Sequence, residues 1–454
     1  MTVELFAKYD VRVPRYTSYP TVPAWHAAPT PAQWTASLHK ALADPSATWS
    51  LYVHLPFCES LCTFCGCNTV ITRDHGRSKP YIDRVLRELD TYLQIVPALR
   101  DRRLCELHLG GGTPTFATAE ELGYLVDGIR SRLATEETQK KHVAPFAGSV
   151  EADPRVTSAA QLHALGERGF TRLSLGVQDF NEETQQLVNR VQSPALVASL
   201  VAAARAAGYE SINFDLIYGL PGQTPESMRV LTETIVDLSP DRLAVYSFAR
   251  VPWIKPAQRR FRDDQIPAGA QKRELYDIVR EGLRAAGYLE IGMDHFARPT
   301  DSLARAAEAG TLHRNFMGYA ETRTSALLGL GVSAISETRD CYHQNEKVLP
   351  LYERRIDACE IPTLRGHRLS AAEQQRRDQI LALMTTFEAP LHGSDASEAR
   401  SFLAPLVADG LVAIAERRLT VTPKGRPFLR NIAAFFDDQY RHERPSAPVY
   451  SSAI

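Results

Sequence analysis

The sequence lacks the features of a membrane protein and of a protein that binds its partners by net charge. Its 454 residues contain 52 Lys and Arg against 53 Asp and Glu, so the net charge is −1. This balance argues against binding of nucleic acid or of an anionic membrane through the net charge of the whole protein, but it allows a local basic pocket. The longest apolar stretch, residues 326–335, is about half of the ~20 residues that a spanning helix needs, and two glycines interrupt it.

The first 20 residues lack the apolar core of a secretory signal peptide, because charged side chains occur throughout them. We therefore expect a soluble, cytoplasmic protein with no membrane and no nucleic-acid partner. Thiols stay reduced in that compartment, so the seven cysteines are not expected to form disulfides. A chain of this length can bury a large core without a disulfide scaffold.

Between residues 49 and 291 short β-rich segments alternate with longer helical ones. The predicted strands cover residues 50–54, 106–109, 148–151, 172–176, 211–217, 242–246 and 288–291. The predicted helices cover residues 81–95, 119–133, 158–168, 193–207, 225–238 and 271–286. Such alternation indicates right-handed βαβ crossovers and a parallel sheet. We expect an α/β fold, a partial (β/α)6-type barrel with its chemistry at the carboxyl ends of the strands.

The regions on either side of this barrel differ from it in composition and pattern. The first 48 residues are rich in proline and predict an irregular arm packed on the barrel, or alternatively a disordered leader. After the prolines near residue 362 the pattern predicts helices over 371–385 and 396–409, a hairpin of 411–415 with 418–421, and a helix over 423–436. This order resembles a winged helix, which binds DNA in some proteins and serves as a docking or lid domain in others. The neutral charge favours the second role.

These patterns divide the chain into four parts. They are an N-terminal arm of residues 1–48, an α/β barrel of 49–300, a connecting segment of 301–362 that covers the site, and a mainly α, winged-helix-like C-terminal domain of 363–454.

Four of the seven cysteines lie within ten residues, directly after the first predicted strand. Cys58, Cys62 and Cys65 have the spacing C-x3-C-x2-C, and Cys67 follows two residues later. A loop with these intervals can wrap a small inorganic cube, since each gap spans at most ~14 Å when extended. Three thiolates on a four-iron cube leave one iron open to bind and activate a ligand. The alternative is a zinc site built from all four cysteines, although structural zinc usually uses two separated pairs.

With this motif after the first strand of an α/β barrel, the sequence resembles the radical S-adenosylmethionine (SAM) superfamily. Further motifs along nearly the whole chain resemble one family within it, the oxygen-independent coproporphyrinogen III oxidases (dehydrogenases). These motifs occupy residues 14–20 (PRYTSYP), 52–58 (YVHLPFC), 65–68 (CGCN), 110–115 (GGGTPT), 176–180 (GVQDF), 215–221 (DLIYGLP), 292–299 (GMDHFARP), 313–319 (HRNFMGY) and 331–336 (GVSAIS). The cysteine triplet alone indicates only the superfamily, whereas the arm motif, the fourth cysteine and the two late motifs are specific to the family. One departure is Leu109, where some members carry Trp.

The resemblance implies a cofactor and a reaction. Cys58, Cys62 and Cys65 would hold one [4Fe–4S] cluster, whose open iron is chelated by SAM. Reductive cleavage of SAM gives methionine and a 5′-deoxyadenosyl radical, which removes hydrogen from unactivated carbon. The implied reaction is the anaerobic oxidative decarboxylation of two propionates of coproporphyrinogen III to vinyl groups, giving protoporphyrinogen IX in haem biosynthesis. A reduced flavodoxin- or ferredoxin-type electron donor and a monomeric state are also implied.

The resemblance also implies which residues contact SAM. They are Tyr52, Phe64, Gly111, Gly112, Thr113, Glu151, Gln178, Arg190, Asp215, Ala249 and Ile335. Glycines at a strand end allow the backbone to approach a ligand closely, although a tight βα turn would also use them. Carboxylates late in two strands can accept hydrogen bonds from ribose hydroxyls or an ammonium group, or can cap a helix. The family holds two SAM molecules in one site, which fits contacts spread this widely.

Two hypotheses concern the substrate and the fourth cysteine. Four propionates need donors, and arginine–carboxylate contacts are strong. The candidate donors are Arg15, Arg250, Arg298, His295 and His313, with surface charge or a core histidine as the alternative for each. Cys67 follows the triplet too closely to ligate the same cube, so we expect it to act in turnover by shaping the loop or handling a proton.

Three competing functions remain open at this level. One is a haem chaperone of the same superfamily without decarboxylase activity, although such relatives typically lack the fourth cysteine and the arm motif. Another is a SAM-dependent enzyme that modifies haem or transfers methyl groups. The third is a winged-helix regulator that uses the cluster as a sensor.

Overall fold

A computed structural model describes residues 3–25, 29–133 and 146–442. The ends of the arm and of the C-terminal domain, residues 1–2 and 443–454, lie outside the described residues. In the described part, no helix has both the length and the apolar character needed to cross a membrane.

The middle of a 12-stranded sheet forms the predicted α/β unit. Six strands pair in parallel and in chain order, Thr48–Leu55, Arg103–Gly111, Ala147–Ala152, Phe170–Gln178, Ser211–Tyr218 and Arg242–Ser247. The main helices that follow these strands are Ser78–Ile95, Ala119–Leu133, Ala159–Gly166, Pro194–Ala206, Pro225–Leu238 and Gly269–Ala285, with short helices at Ala98–Asp101 and Glu182–Leu187. The sheet has two free edges, at the strands Thr363–Arg368 and Leu289–Ile291, so the barrel is partial, as predicted.

The sheet continues beyond the six parallel strands on both sides. On one side Ala326–Leu330 pairs in parallel with the first strand, and Ile335–Thr338, Cys341–Asn345 and Thr363–Arg368 continue antiparallel. On the other side the antiparallel strands His295–Ala297 and Leu289–Ile291 follow Arg242–Ser247. The connecting segment therefore contributes strands to the main sheet, besides the helices Ser302–Glu308 and Leu349–Asp357 and the small hairpin of His313–Asn315 with Gly318–Ala320.

Burial and capping explain why these segments form. Trp49, Leu51 and Val53 of the first strand are fully buried, and as alternate residues they share one face of the sheet, which is covered by the main apolar core. Several helices in the barrel begin at polar caps. Ser158 and Thr224, for example, each accept a hydrogen bond from the backbone three residues on and complete a capping box.

The N-terminal arm contains more regular structure than its prolines predicted. It forms the helices Val3–Tyr9 and Pro31–Ala41. The second helix forms because proline is favourable in a first helical turn and because Thr30 caps it. The second helix packs on the sheet, where Trp34 stacks on His343 at 5.1 Å. The first helix instead packs on the C-terminal domain, where Phe6 stacks on Phe428 at 5.3 Å. The arm thus joins both parts of the molecule.

The C-terminal domain follows the winged-helix order with local differences. Its elements are Ala371–Thr386, the strand Glu388–Pro390, Asp395–Phe402, Ala404–Ala408, the strands Val412–Ile414 and Arg418–Val421, and the helices Leu429–Ala433 and Asp438–His442. The single helix predicted over 396–409 is broken before Pro405, and the one predicted over 423–436 is divided into short α and 3-10 turns around Pro427. The strand Glu388–Pro390 was not predicted, because three residues ending in proline carry no alternating pattern.

Candidate active site

The loop that carries the four cysteines lies at the carboxyl end of the first strand. The two-residue strands Phe57–Cys58 and Val70–Ile71 close the base of this loop. The backbone of Thr63 donates to the carbonyl of Val188 at 3.0 Å and so fixes the tip beside the fourth parallel strand. The loop therefore faces the barrel mouth from a defined position.

Polar groups from the segments that follow three neighbouring strands point at the cysteine sulfurs. The Cys58 sulfur lies 3.3 Å from the Thr113 hydroxyl. Arg155 and Arg190 each donate to the Cys62 sulfur at 3.4 Å. Asp153 holds both guanidinium groups, at 2.6 and 3.0 Å. Cations and hydrogen-bond donors stabilise thiolates, which is the form in which cysteine binds iron.

The thiols of the loop also influence one another. Burial raises the pKa of Cys58 to about 11, and the nearby Cys65 and Cys62 add to that rise. A hydrogen bond with Cys67 lowers the pKa of Cys65 to about 6, while the same contact raises the pKa of Cys67. The negative charge is thus favoured on Cys65, a predicted ligand, and the proton on Cys67.

The cysteine geometry fits a cluster better than a single ion. Within the described ranges no three His, Cys, Asp or Glu side chains lie close enough together to hold one metal ion. A four-iron cube instead takes each thiolate at a different iron. Cys58, Cys62 and Cys65 are near enough to interact electrostatically, and two of them receive donors from outside the loop. These residues fit a [4Fe–4S] cluster.

The carboxylate of Glu151 lies next to the glycine-rich strand end. It accepts hydrogen bonds from the Gly111 backbone at 3.2 Å and pairs with His108 at 3.3 Å. Burial opposes ionisation, but these two contacts hold the pKa of Glu151 below its ordinary value. A Cβ atom at Gly110 would come within 3.0 Å of this carboxylate, which explains the glycine there. Glu151 is therefore an ionised acceptor at the barrel mouth.

Asp215 occupies the same cavity but has weaker partners. Ser174 and Asn213 donate to its two oxygens at 2.9 and 3.0 Å. Burial, followed by the charge of Glu151, raises the pKa of Asp215 to about 6. Both carboxylates line a cavity of about 180 Å³ inside the barrel, together with Tyr246, His295 and Tyr319.

Gln178 and Arg190 meet at the end of the fourth parallel strand. Gln178 is its last residue and has a φ of 66°, while Arg190 follows the helix Glu182–Leu187 by three residues. Arg190 donates twice to the carbonyl of Gly176, at 2.6 and 3.2 Å. A Cβ atom at Gly176 would lie 2.8 Å from both side chains, so this glycine makes room for them. Arg190 therefore connects the strand end to Cys62.

The remaining predicted SAM residues lie around the first strand and the cysteine loop. Tyr52 stacks on His108 at 5.8 Å and bonds to His54 at 2.9 Å. The buried side chain of Gln258 donates to the carbonyls of Phe64 and Ala249, at 3.3 and 3.2 Å.

Ile335 begins the strand beside Gly329, which is in register with Tyr52. A Cβ atom at Gly329 would come within 2.5 Å of the Ile335 carbonyl, so the two backbones are in close contact. The structure thus brings together two sets of predicted residues, one around Glu151 and one around Phe64 and Ala249.

Three residues of this site were missed from the sequence. Asp153 and Arg155 follow the strand Ala147–Ala152 directly, so their position at a strand end was an available signal. Gln258 lies in a long segment between the last parallel strand and its helix, and no local pattern marks it.

The five substrate candidates separate into different places. Arg15 forms an ion pair with Asp294 beside the barrel cavity, and His295 lines that cavity. Arg250 instead pairs with Asp263 and donates to a backbone carbonyl in the same segment.

Arg298 lies at the wrong end of the barrel for this role, and His313 lies in a different cavity. Arg298 bonds to Ser239 and Pro240 at the opposite, amino end of the last parallel strand, because the strand His295–Ala297 runs antiparallel. His313 lines a separate cavity of about 600 Å³. Burial lowers the pKa of His313 to about 4, so it is neutral.

Comparison with known proteins gives the same assignment as the site. The chain matches the Radical SAM superfamily over residues 52–235. It is 41% identical to the oxygen-independent coproporphyrinogen III oxidase of Escherichia coli strain K12, over 97% of this chain and 95% of that protein. Identity to the oxidase of the same name from Pseudomonas aeruginosa is 40%, over 96% and 95%. The solved structure of coproporphyrinogen III oxidase (HemN) from Escherichia coli, described as a radical SAM enzyme, matches with a TM-score of 0.86 at 40% identity, over 93% of this chain and 97% of that one. The chain therefore belongs to the radical SAM superfamily and, within it, to the family of oxygen-independent coproporphyrinogen III oxidases.

Proposed function

We propose that this protein catalyses the anaerobic oxidative decarboxylation of two propionates of coproporphyrinogen III, giving protoporphyrinogen IX in haem biosynthesis. The observation that carries the proposal is the meeting of three cysteine thiols with two carboxylates at one end of the barrel. Donors from Thr113, Arg155 and Arg190 reach the thiols. Glu151 and Asp215 line the adjoining cavity.

Each part of the site has its own task. Cys58, Cys62 and Cys65 would hold the [4Fe–4S] cluster, and the donors to Cys58 and Cys62 favour their thiolate forms. A bound cluster together with SAM supplies the electron and the 5′-deoxyadenosyl radical that removes hydrogen from an unactivated carbon. Glu151 offers an ionised acceptor for hydroxyl or ammonium groups of SAM, and Gly111 leaves its backbone open to close approach.

The predicted SAM contacts support two SAM molecules in one site. One set surrounds Glu151, Gln178, Arg190 and Asp215 on the parallel strand ends. The other set lies near Phe64 and Ala249, whose carbonyls share Gln258. Equilibrium dialysis of reconstituted protein with labelled SAM should give about two bound equivalents, and one equivalent would contradict this stoichiometry.

One anaerobic assay tests the proposed reaction. Iron and sulfide are reconstituted, and reductant, SAM and coproporphyrinogen III are added. We expect carbon dioxide, vinyl porphyrinogen and 5′-deoxyadenosine in every turnover, and none of them without SAM. Stoichiometric retention of haem without decarboxylation would favour a haem chaperone. Methylated product would favour the methyl-transferring relatives.

The electron donor, the oligomeric state and the cellular location are part of the same proposal. We propose a reduced flavodoxin- or ferredoxin-type donor, a monomer and a cytoplasmic location. Turnover supported by purified reduced flavodoxin in place of dithionite would support the donor. Sedimentation at the mass of 50.5 kDa would support the monomer.

A further inference from the structure

A turn beside the cysteine loop presents two large apolar side chains to solvent. Trp253 is 41% exposed and Ile254 is 58% exposed. The backbones of Ile254 and Lys255 both donate to the carbonyl of Val251 at 2.9 Å, so the chain reverses here and the two apolar residues lie at the tip of the turn. Apolar side chains that are exposed together, with charged neighbours, are typical of a surface that binds another molecule.

The base of this turn is attached to the cysteine loop. The Nζ atom of Lys255 donates to the carbonyl of Cys67 at 2.8 Å. The buried amide of Gln258 donates to the carbonyl of Phe64 at 3.3 Å. The tip of the turn is two residues from Lys255, which is at most ~7 Å of extended chain. A molecule that binds at the tip is therefore close to the loop that carries the cluster ligands.

Two guanidinium groups flank the apolar tip. Arg12 of the N-terminal arm is exposed, and its guanidinium lies 5.8 Å from the centroid of the Trp253 ring. Arg259, from the short helix Pro256–Arg260, donates from its Nε atom to the carbonyl of Pro252 at 3.2 Å. An apolar centre with arginines at its rim has the composition of a protein–protein contact, where Trp and Arg are the residues that contribute most to binding.

The charge around the tip is positive. Residues 250–264 contain five basic and two acidic side chains. Both acids form ion pairs with arginines of the same segment. Lys255, Arg259 and Arg260 have no ion-pair partner within the described ranges of the chain. We call this surface the Trp253 face, and it consists of Arg12, Trp253, Ile254, Lys255, Arg259 and Arg260. Its charge is complementary to an acidic partner.

The proposed reaction needs an electron that comes from outside the protein. Reductive cleavage of SAM consumes one electron, which reaches SAM through the cluster held by the cysteine loop. Electron transfer slows steeply with distance, so a protein that donates this electron has to dock close to that loop. The Trp253 face meets this requirement, because it is exposed and its base contacts Phe64 and Cys67.

We propose that the Trp253 face is the docking surface for the electron donor, a small acidic protein that carries one electron at a time. This inference rests on the proposed function, because that reaction is the one that requires the donor. Each docking event passes one electron from the donor, which is oxidised, to the cluster, which is reduced. The arginines attract the acidic donor, and Trp253 and Ile254 supply the apolar contact.

Two reductants separate docking from catalysis. Purified flavodoxin, labelled with a fluorophore, is titrated into the full-length protein and followed by anisotropy. Turnover is then driven either by reduced flavodoxin or by dithionite, a small reductant that needs no docking surface. We expect the double variant Arg259→Glu and Arg260→Glu to weaken flavodoxin binding by about tenfold at low salt and to raise the KM for flavodoxin by a similar factor. Turnover with dithionite and iron content should stay at the wild-type level.

Two further variants sharpen this test. Ile254→Ser removes apolar contact and no charge, so it should weaken flavodoxin binding by a few fold at low and at high salt alike, whereas the effect of the double variant should shrink as salt rises. Arg284→Glu changes an exposed arginine in the last turn of the helix Gly269–Ala285, at the opposite end of the barrel, and should leave flavodoxin binding unchanged.

The possible outcomes are distinct. Wild-type affinity for flavodoxin in the double variant would overturn the inference. A raised KM for coproporphyrinogen III with dithionite, together with unchanged flavodoxin affinity, would also overturn it and would show that this face receives the tetrapyrrole. Failure of the wild-type protein to turn over with either reductant would overturn the proposed function instead, and the anisotropy titration would still test docking.

Discussion

Charged side chains line the barrel cavity at both ends, but those at the amino end are paired with one another, whereas those at the carboxyl end have fewer charged partners. Arg172 pairs with Glu106 at 3.1 Å and with Glu321 at 3.3 Å. Arg242 pairs with Asp301 at 2.6 Å and also with Glu321. Each charged group in this set has a partner of opposite sign, so we assign the set a structural role.

The carboxyl end differs because its charges are incompletely matched. Asp215, for example, receives hydrogen bonds only from the neutral side chains of Ser174 and Asn213. Perturbed and unmatched charges around a cavity are typical of functional sites. The same sheet therefore carries stability at one end and chemistry at the other.

Loss of a cluster ligand should have the largest effect. Cys58→Ser removes one of three thiolates, so we expect iron content to fall sharply and activity to disappear. Cys67→Ser should keep its iron and lower only turnover, because Cys67 is the protonated partner of Cys65. Iron analysis and the visible absorbance after anaerobic reconstitution measure the cluster content of both variants. Cys359→Ser, at an exposed cysteine, is the control. Equal iron loss in the Cys58 and Cys67 variants would contradict this division.

Breaking the paired end should affect stability. Arg242→Met would leave the carboxylate of Asp301, which is 2% exposed in its side chain, without its cation, and would leave Glu321 with Arg172 as its partner. Removing one partner of a buried pair costs about 3–5 kcal/mol, which denaturant unfolding would measure. Arg229→Met at an exposed pair should cost less than about 1 kcal/mol. A similar small cost at both positions would remove the contrast between the two ends.

Glu151 tests the ligand-facing end with a smaller effect. Glu151→Gln keeps the shape and removes the charge, so SAM affinity should fall by about tenfold while the unfolding free energy changes little. Isothermal titration with SAM measures the first and thermal unfolding the second. A loss of stability with unchanged SAM affinity would mean that Glu151 belongs to the structural charges.

The sequence predicted most of the fold and the local part of the site, and the reasons are physical. The cysteine loop is a continuous segment, and Glu151 and Asp215 could be identified because they are carboxylates late in predicted strands. Gln258 could not be found this way, because its role depends on a hydrogen bond to Phe64 in a distant segment. Arg298 was assigned wrongly because a short antiparallel strand reverses the direction of the chain just before it.

The pH dependence of stability should show the smallest effect, and it concerns Asp215. Because burial and Glu151 raise its pKa from 3.8 to about 6, the folded state binds a proton more tightly than the unfolded chain does. Stability from this group is therefore complete below pH ~4 and is lost as the pH rises towards ~6. Asp215→Asn removes this dependence, so its Tm advantage over the wild type should grow by about 2–4 °C between pH 4 and 7. Asp237→Asn on an exposed helix face should show no such trend. A constant Tm difference between Asp215→Asn and the wild type across this pH range would mean that the pKa of Asp215 is not raised. The charge of Asp215 would then be better compensated than its hydrogen bonds indicate.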